Sequence, residues 1–371
     1  MAIFFYISLV TNILAPLIPD VIKGFSLSLS AAGVLPFAFF IAYGVLSIPS
    51  GMLAERFSDK TILLVALGLA LVGSLSFALR PAYASGVASL FVIGGGFAMA
   101  QVVINPLLRV AGGERHFAFN STAAQMVFGA ASFLSPGLSL FLVARLREGG
   151  HADGDVLRTL ARVVPANLPW VSLYWVFAAL TLIMMAVIAV VRFPAIARTA
   201  EETAGSWRVH ARLFRSRVVI LYFVSIFAYV GCEQGTTYWM AQFLATYHGY
   251  GAEIGATAVS RFWGLMTLGC LAGLVPLKLF DSRKVLLVCS GAAIVSLSAA
   301  LFGPGPVAVL AFPAIGLFVS VMWPLVMSLA LNSVTEHHGS VAGILCTGIA
   351  GGATAPLVIG GWAMASGCAP A

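Results

Sequence analysis

Charge is what this sequence lacks. Only 9% of its 371 residues are Asp, Glu, Lys or Arg, while 60% are apolar and the mean hydropathy is +1.01. A soluble domain carries about 25% charged residues to cover its surface, so this composition excludes one. The few charges fall in short clusters between uncharged runs of roughly 20 residues, the helix length that crosses a bilayer's hydrocarbon core. No water satisfies the backbone there, so such runs must be helices. Other absences narrow the function. None of the five cysteines (Cys232, Cys270, Cys289, Cys346, Cys368) forms a CxxC pair, and four lie inside apolar runs, where they read as small buried hydrophobes. The six histidines fall in or near loops with no HExxH or other metal spacing, so no metal and no cofactor is expected. No nucleophile–base constellation points to an enzyme. No basic stripe with interleaved aromatics accompanies the net charge of +7, which reads as membrane topology rather than nucleic-acid binding.

What is there is a series of eleven candidate spans: about 3–22, 31–54, 61–79, 84–109, 117–144, 170–191, 218–247, 255–279, 285–302, 306–331 and 340–366. The first is too long and too plainly flanked for a signal peptide, so it reads as a spanning helix. Loops on the side of residues 55–60 hold thirteen Lys or Arg against six opposite, with Arg261 inside a span. The positive-inside rule therefore places the N-terminus in the cytoplasm. The basic, polar segment 192–217 reads as a cytoplasmic linker between a six-helix bundle (1–191) and a five-helix bundle (218–371). A sixth helix in the second bundle would restore symmetry. The expectation is a twelfth span that is truncated or absent.

The sharpest local pattern is Gly51-Met-Leu-Ala-Glu55-Arg56-Phe-Ser-Asp59-Lys60, between spans two and three. A glycine lets two helices approach closely. An acid at the membrane surface can pair with bases or with the positive N-terminus of a neighbouring helix. Contacts of that kind can hold one side shut in one state and break in the other. The bland alternative is loop charge that sets topology. The pattern resembles the loop signature of the major facilitator superfamily, with Ser58 where a second glycine is usual and Glu55 where Asp is commoner. Lys278-Leu-Phe-Asp281-Ser-Arg283-Lys284, at the corresponding place in the second bundle, reads as a degraded copy. The resemblance implies an all-α membrane transporter of two pseudo-symmetric bundles. Residues Gly51, Glu55, Arg56 and Lys60 would form its cytoplasmic gate motif.

A narrower resemblance follows. Gln101-Val-Val-Ile-Asn105-Pro106, His116-Phe-Ala-Phe-Asn120 and Phe128-Gly129 are similar to the fucose–proton symporter family of sugar permeases. The run Asn12 to Pro19, Phe193-Pro194-Ala195 and Tyr229-Val-Gly231 also fit. The departures bear on function. The family's coupling acids fall at Ala15 and Gln101 here, and its fifth-helix Gln and Asn fall at Ala123 and Met126, with Gln125 close by. The shared scaffold is thus expected without the family's proton relay. Passive transport, another coupling route or another substrate come into play.

The pathway candidates follow from the cost of polar groups in lipid. A charge within a span faces the bundle interior and usually has a function. Glu233 and Arg261 are the two, and an ion pair between them would lower the desolvation cost of each. Alternatively, Arg261 snorkels to the outer interface. Tyr229, Glu233, Thr236, Thr237 and Met240 share one helical face, as do Gln101 and Asn105. Amides and aromatics around a cavity suit a neutral polyol. The candidate solute contacts are Asn12, Gln101, Asn105, Gln125, Glu233, Gln234, Thr237, Arg261, Trp263 and Trp323, with Glu233 also the coupling candidate. For Asn105 and Asn120 an interhelical or backbone hydrogen bond is the competing reading, and for Trp239, Trp263 and Trp323 a packing role. The expected function is a secondary transporter moving a small polar solute, a sugar above others, by alternating access. The rivals are a drug or metabolite exporter of the same superfamily and a non-transporting receptor, scaffold or truncated remnant. The expected partners are the solute, the bilayer and a co-transported proton or sodium ion, in a monomer of a bacterial inner membrane.

Overall fold

A computed structural model describes residues 1–27, 29–113, 116–147, 155–191 and 212–365, and every regular element among them is helical. In chain order these are α1 (Ala2–Asn12), α2 (Leu14–Phe25), α3 (Leu29–Arg56), α4 (Asp59–Leu79), α5 (Tyr83–Gly112), α6 (Phe117–Arg147), α7 (Asp155–Val163) and α8 (Ser172–Val190). After residue 212 come α9 (Arg217–His248), α10 (Ala252–Leu279), α11 (Ser282–Phe302), α12 (Gly305–Val319), α13 (Met322–Asn332), α14 (His338–Thr347) and α15 (Gly351–Ala365). Most of the expected linker, with Phe193-Pro194-Ala195, lies outside the described residues.

Ten helices among the described residues are long and apolar enough to cross a membrane. The expected first span is instead two short helices, α1 and α2, which meet at Ile13. Pro16 explains the break, because it lacks the N–H that would bond to the carbonyl of Asn12. The tenth crossing is interrupted too, between α12 and α13. There Pro324 leaves the Ser320 carbonyl without its helical donor, and the Cys270 thiol on α10 approaches that oxygen at 3.4 Å. In the eleventh crossing a turn of 3₁₀-helix, Gly348–Ala350, separates α14 from α15. Ser58 caps α4 by accepting the Thr61 N–H at 3.2 Å, and Asp281 caps α11 by accepting the Arg283 N–H at 2.8 Å. The connection expected as a loop at 145–169 contains α7. Its Arg158–Asp155 pair is highly exposed and adds little stability.

The aromatic core of the first bundle lies between α2, α4 and α8. Phe77 stacks on Trp170 at 5.6 Å, and Phe25 meets Trp170 edge-on at 5.5 Å. Leu287, Val288, Ile294 and Val295 on α11 are exposed, as are Leu182 and Ile183 on α8, so these faces suit lipid contact. The two bundles meet where α3 and α5 pack on α14, and where α6 packs on α10 and α13. At the α3–α14 contact, glycine meets glycine. A Cβ at Gly51 would lie 2.8 Å from the Gly339 carbonyl oxygen, and one at Gly343 would lie 2.8 Å from that of Ser47.

Candidate transport cavity and latch

A cavity opens between the bundles at mid-helix, with about 630 Å³ of atom-free space that includes open solvent. The first bundle contributes Phe4, Thr11 and Asn12 from α1, Phe39, Phe40 and Tyr43 from α3, Gln101 from α5, and Gln125 and Phe128 from α6. The second contributes Tyr229, Val230, Glu233 and Gln234 from α9, Trp263 from α10, Trp323 from α13 and Ile349. Its wall is therefore aromatic with a few amides and one carboxylate.

Several of these polar groups are held from behind. Asn12 Nδ2 donates to Ser132 Oγ at 2.8 Å and to the Ser8 carbonyl at 3.1 Å. Gln101 Nε2 donates to the Tyr43 hydroxyl at 3.2 Å. Glu233 accepts the Tyr229 hydroxyl one turn earlier and the Gln234 Nε2–H at 3.0 Å. The α9 spacing thus supplies the acid's own donor, as i and i+4 share a face.

Seven of the ten candidate contacts line this cavity: Asn12, Gln101, Gln125, Glu233, Gln234, Trp263 and Trp323. Asn105, Thr237 and Arg261 are elsewhere. Asn105 is buried, and its Nδ2 donates to the Gln101 carbonyl at 2.7 Å beside Pro106. Thr237 Oγ1 bonds back to the Glu233 carbonyl at 2.9 Å. Arg261 is exposed on α10, and Glu233 takes its partners from its own helix instead. Asn120 donates to the Gly112 carbonyl at 2.9 Å, and Trp239 to the Pro356 carbonyl at 3.0 Å.

Of the four residues expected at the gate, Gly51 and Glu55 meet the other bundle, and their contact forms a latch. Glu55 is 3% exposed, which is affordable for a carboxylate only because it sits against the N-terminus of α14. Its Oε1 accepts the Ser340 N–H at 3.0 Å and the Ser340 hydroxyl, with His337 Nδ1 3.8 Å away. Beside it Arg109, also buried, donates from Nε to Asn332 Oδ1 at 2.9 Å, and its Nη1 lies 3.1 Å from His338 Nε2. Both contacts join the first bundle to the second. Lys60 Nζ instead caps α8 within its own bundle, donating to the Ala189 and Val191 carbonyls at 2.5 and 3.3 Å. Arg56 is exposed. Sequence reasoning placed the two histidines in or near loops and gave Arg109 no role. The signal for Arg109 was its place four residues after Asn105, on one helical face.

Two opposed helical bundles, a cavity between them and a latch at one end define a polytopic membrane carrier. The chain belongs to the Major Facilitator Superfamily, which it matches over residues 1–356. It is a secondary transporter of that superfamily. A glucose/galactose transporter of Brucella abortus biovar 1 (strain 9-941) is 30% identical over 372 residues, covering 98% of this chain and 87% of the relative. The L-fucose-proton symporter of Escherichia coli (strain K12) is 25% identical over 380 residues, covering 96% and 84%. The solved structure of FucP in the outward conformation matches with a TM-score of 0.82 at 22% identity, over 99% of this chain and 91% of that one. That last likeness speaks for the fold.

Proposed function

We propose that this protein carries a hexose-type sugar into the cell, driven by a co-transported ion that Glu233 handles. The observation that carries the reading is the cavity itself. Trp263 and Trp323 offer flat apolar faces beside the amides of Asn12, Gln101, Gln125 and Gln234, which combine donors with acceptors. A ring of hydroxyls with apolar faces is complementary to such a wall. The names of the relatives at 30% and 25% identity, glucose/galactose and L-fucose, support the same class. Glu233 is the sole carboxylate on the wall among the described residues, and Ala15 and Gln101 occupy the positions where the resembling family has its acids. A coupling proton then has one acid to bind, shared with Tyr229 and Gln234. The charge bias of the loops supports a cytoplasmic N-terminus, which sets the latch on the cytoplasmic side of a bacterial inner membrane. One chain contains both bundles and the whole cavity, so the working unit is a monomer.

The test is uptake of labelled hexoses into proteoliposomes with and without a proton or sodium gradient. Gradient-driven accumulation is expected in the wild type. In Glu233→Gln, accumulation should be lost while facilitated exchange persists. Accumulation that survives in Glu233→Gln removes that residue from the coupling path. Failure of every hexose to move overturns the sugar reading and favours an exporter's apolar cargo.

A further inference from the structure

The hydrogen bonds behind Asn12 run in one direction. A main-chain carbonyl only accepts, and Asn12 Nδ2 lies 3.1 Å from that of Ser8, so the nitrogen edge of the amide must face it. The same nitrogen lies 2.8 Å from Ser132 Oγ. Ser8 and Ser132 are both buried, and their hydroxyls are 2.8 Å apart. Both also reach the Phe128 carbonyl, Ser132 from 3.1 Å. Each hydroxyl has a single proton. Whether Ser132 gives its proton to Phe128 directly or to Ser8, a lone pair is left to accept from Asn12. Asn12 Oδ1 is then the atom turned to the cavity, and it has no protein partner among the described residues.

We propose that Ser132 is a positioning residue, which locks Asn12 with its oxygen outward so that this wall accepts a hydrogen bond from a solute hydroxyl. The proposal rests on the sugar reading above. Across the cavity, Gln234 gives one of its two N–H bonds to Glu233 at 3.0 Å. The consequence is a chemical signature. Fluorine in place of a hydroxyl accepts weakly and cannot donate. At the hydroxyl facing Asn12, deoxy and deoxyfluoro analogues should therefore lose affinity alike, each by roughly fivefold.

The experiment is uptake by the full chain in proteoliposomes of a hexose and its monodeoxy and deoxyfluoro analogues. Wild type, Asn12→Ala, Ser132→Ala and Ser132→Thr are compared. The expected result is one hydroxyl at which both analogues raise KM equally in the wild type. In Ser132→Ala the parent sugar's KM should rise with the maximal rate held, and the penalty at that one hydroxyl should shrink, because only the Ser8 carbonyl still holds the amide. Ser132→Thr, which keeps the hydroxyl, should restore both. A merely structural serine would shift all analogues together. A fluoro analogue carried as well as the parent at every hydroxyl overturns the proposal without need of any variant. So does Ser132→Ala keeping the penalty that Asn12→Ala removes. Wild-type flux with either of those results sinks this proposal alone, whereas no hexose flux at all sinks the sugar reading and this proposal with it.

Discussion

The two copies of the loop motif have similar residues and different employment. In the first bundle, the acid at 55 is buried and reaches across to the N-terminus of α14 in the other bundle. In the second, Asp281 is exposed and caps its own helix, α11. Lys60 caps α8 within its bundle, while Lys278 lies over the Phe119 ring of the opposite bundle at 4.8 Å. The difference lies in the partner surfaces. Gly51 lets α14 come within backbone contact, so Glu55 meets three things at once: a helix N-terminus, a serine hydroxyl and a histidine. Asp281 instead sits exposed at the start of α11, where its side chain accepts the Arg283 N–H. A repeated sequence pattern therefore need not be a repeated function. The acid of one copy joins the bundles, whereas the acid of the other starts a helix and leaves the cross-bundle contact to Lys278.

That contrast can be broken from its strong side first. Gly51→Val should have the largest effect, because the new side chain meets the Gly339 backbone oxygen, which cannot rotate away. Overpacking of this kind costs about 3 kcal/mol at its upper end. Latched molecules should become scarce, read as loss of labelling of Thr11→Cys at the cavity wall by a membrane-impermeant thiol reagent applied from the side opposite the latch. Unchanged labelling would show that the glycine contact does not hold the latched state. Glu55→Gln keeps the shape and removes the charge. It should cost about 2 kcal/mol, roughly 30-fold in the population of the latched state by the same assay. An equal effect from Asp281→Asn would erase the distinction between the two copies. The smallest effect is expected from Asp281→Ala. It loses one helix cap, about 1 kcal/mol, and should lower the melting temperature slightly while leaving the labelling pattern as in the wild type.

Much of the fold was legible because hydropathy in a bilayer is a strong constraint: an uncharged run of twenty residues has one structural solution. The helix breaks were less so. Pro16 and Pro324 carry the signal for two of them, yet Pro36, Pro49 and Pro106 sit inside unbroken helices. Proline alone therefore does not mark a break. The cavity was legible where a residue's cost in lipid had to be repaid, as at Glu233 and Gln101. It was not legible where a polar side chain could turn back on its own helix. Asn105 and Thr237 do so, and their sequence spacing is that of cavity residues. Ser132 was invisible for the opposite reason. A serine in an apolar run carries no charge and little cost, and only the fold sets it behind Asn12.

The breaks in the crossings have one further consequence. Ile13 adjoins Asn12, Val321 precedes Trp323 by two residues, and Ile349 lies within the 3₁₀ turn, so all three interruptions stand at the level of the cavity. A rod jointed at its middle can tilt one arm while the other stays clamped. Glu55 fixes α14 and Arg109 ties α13 through Asn332, so in two of these crossings the clamped arm lies on the latch side of its joint. The main chain is thus jointed at the level of the cavity and clamped to one side of it.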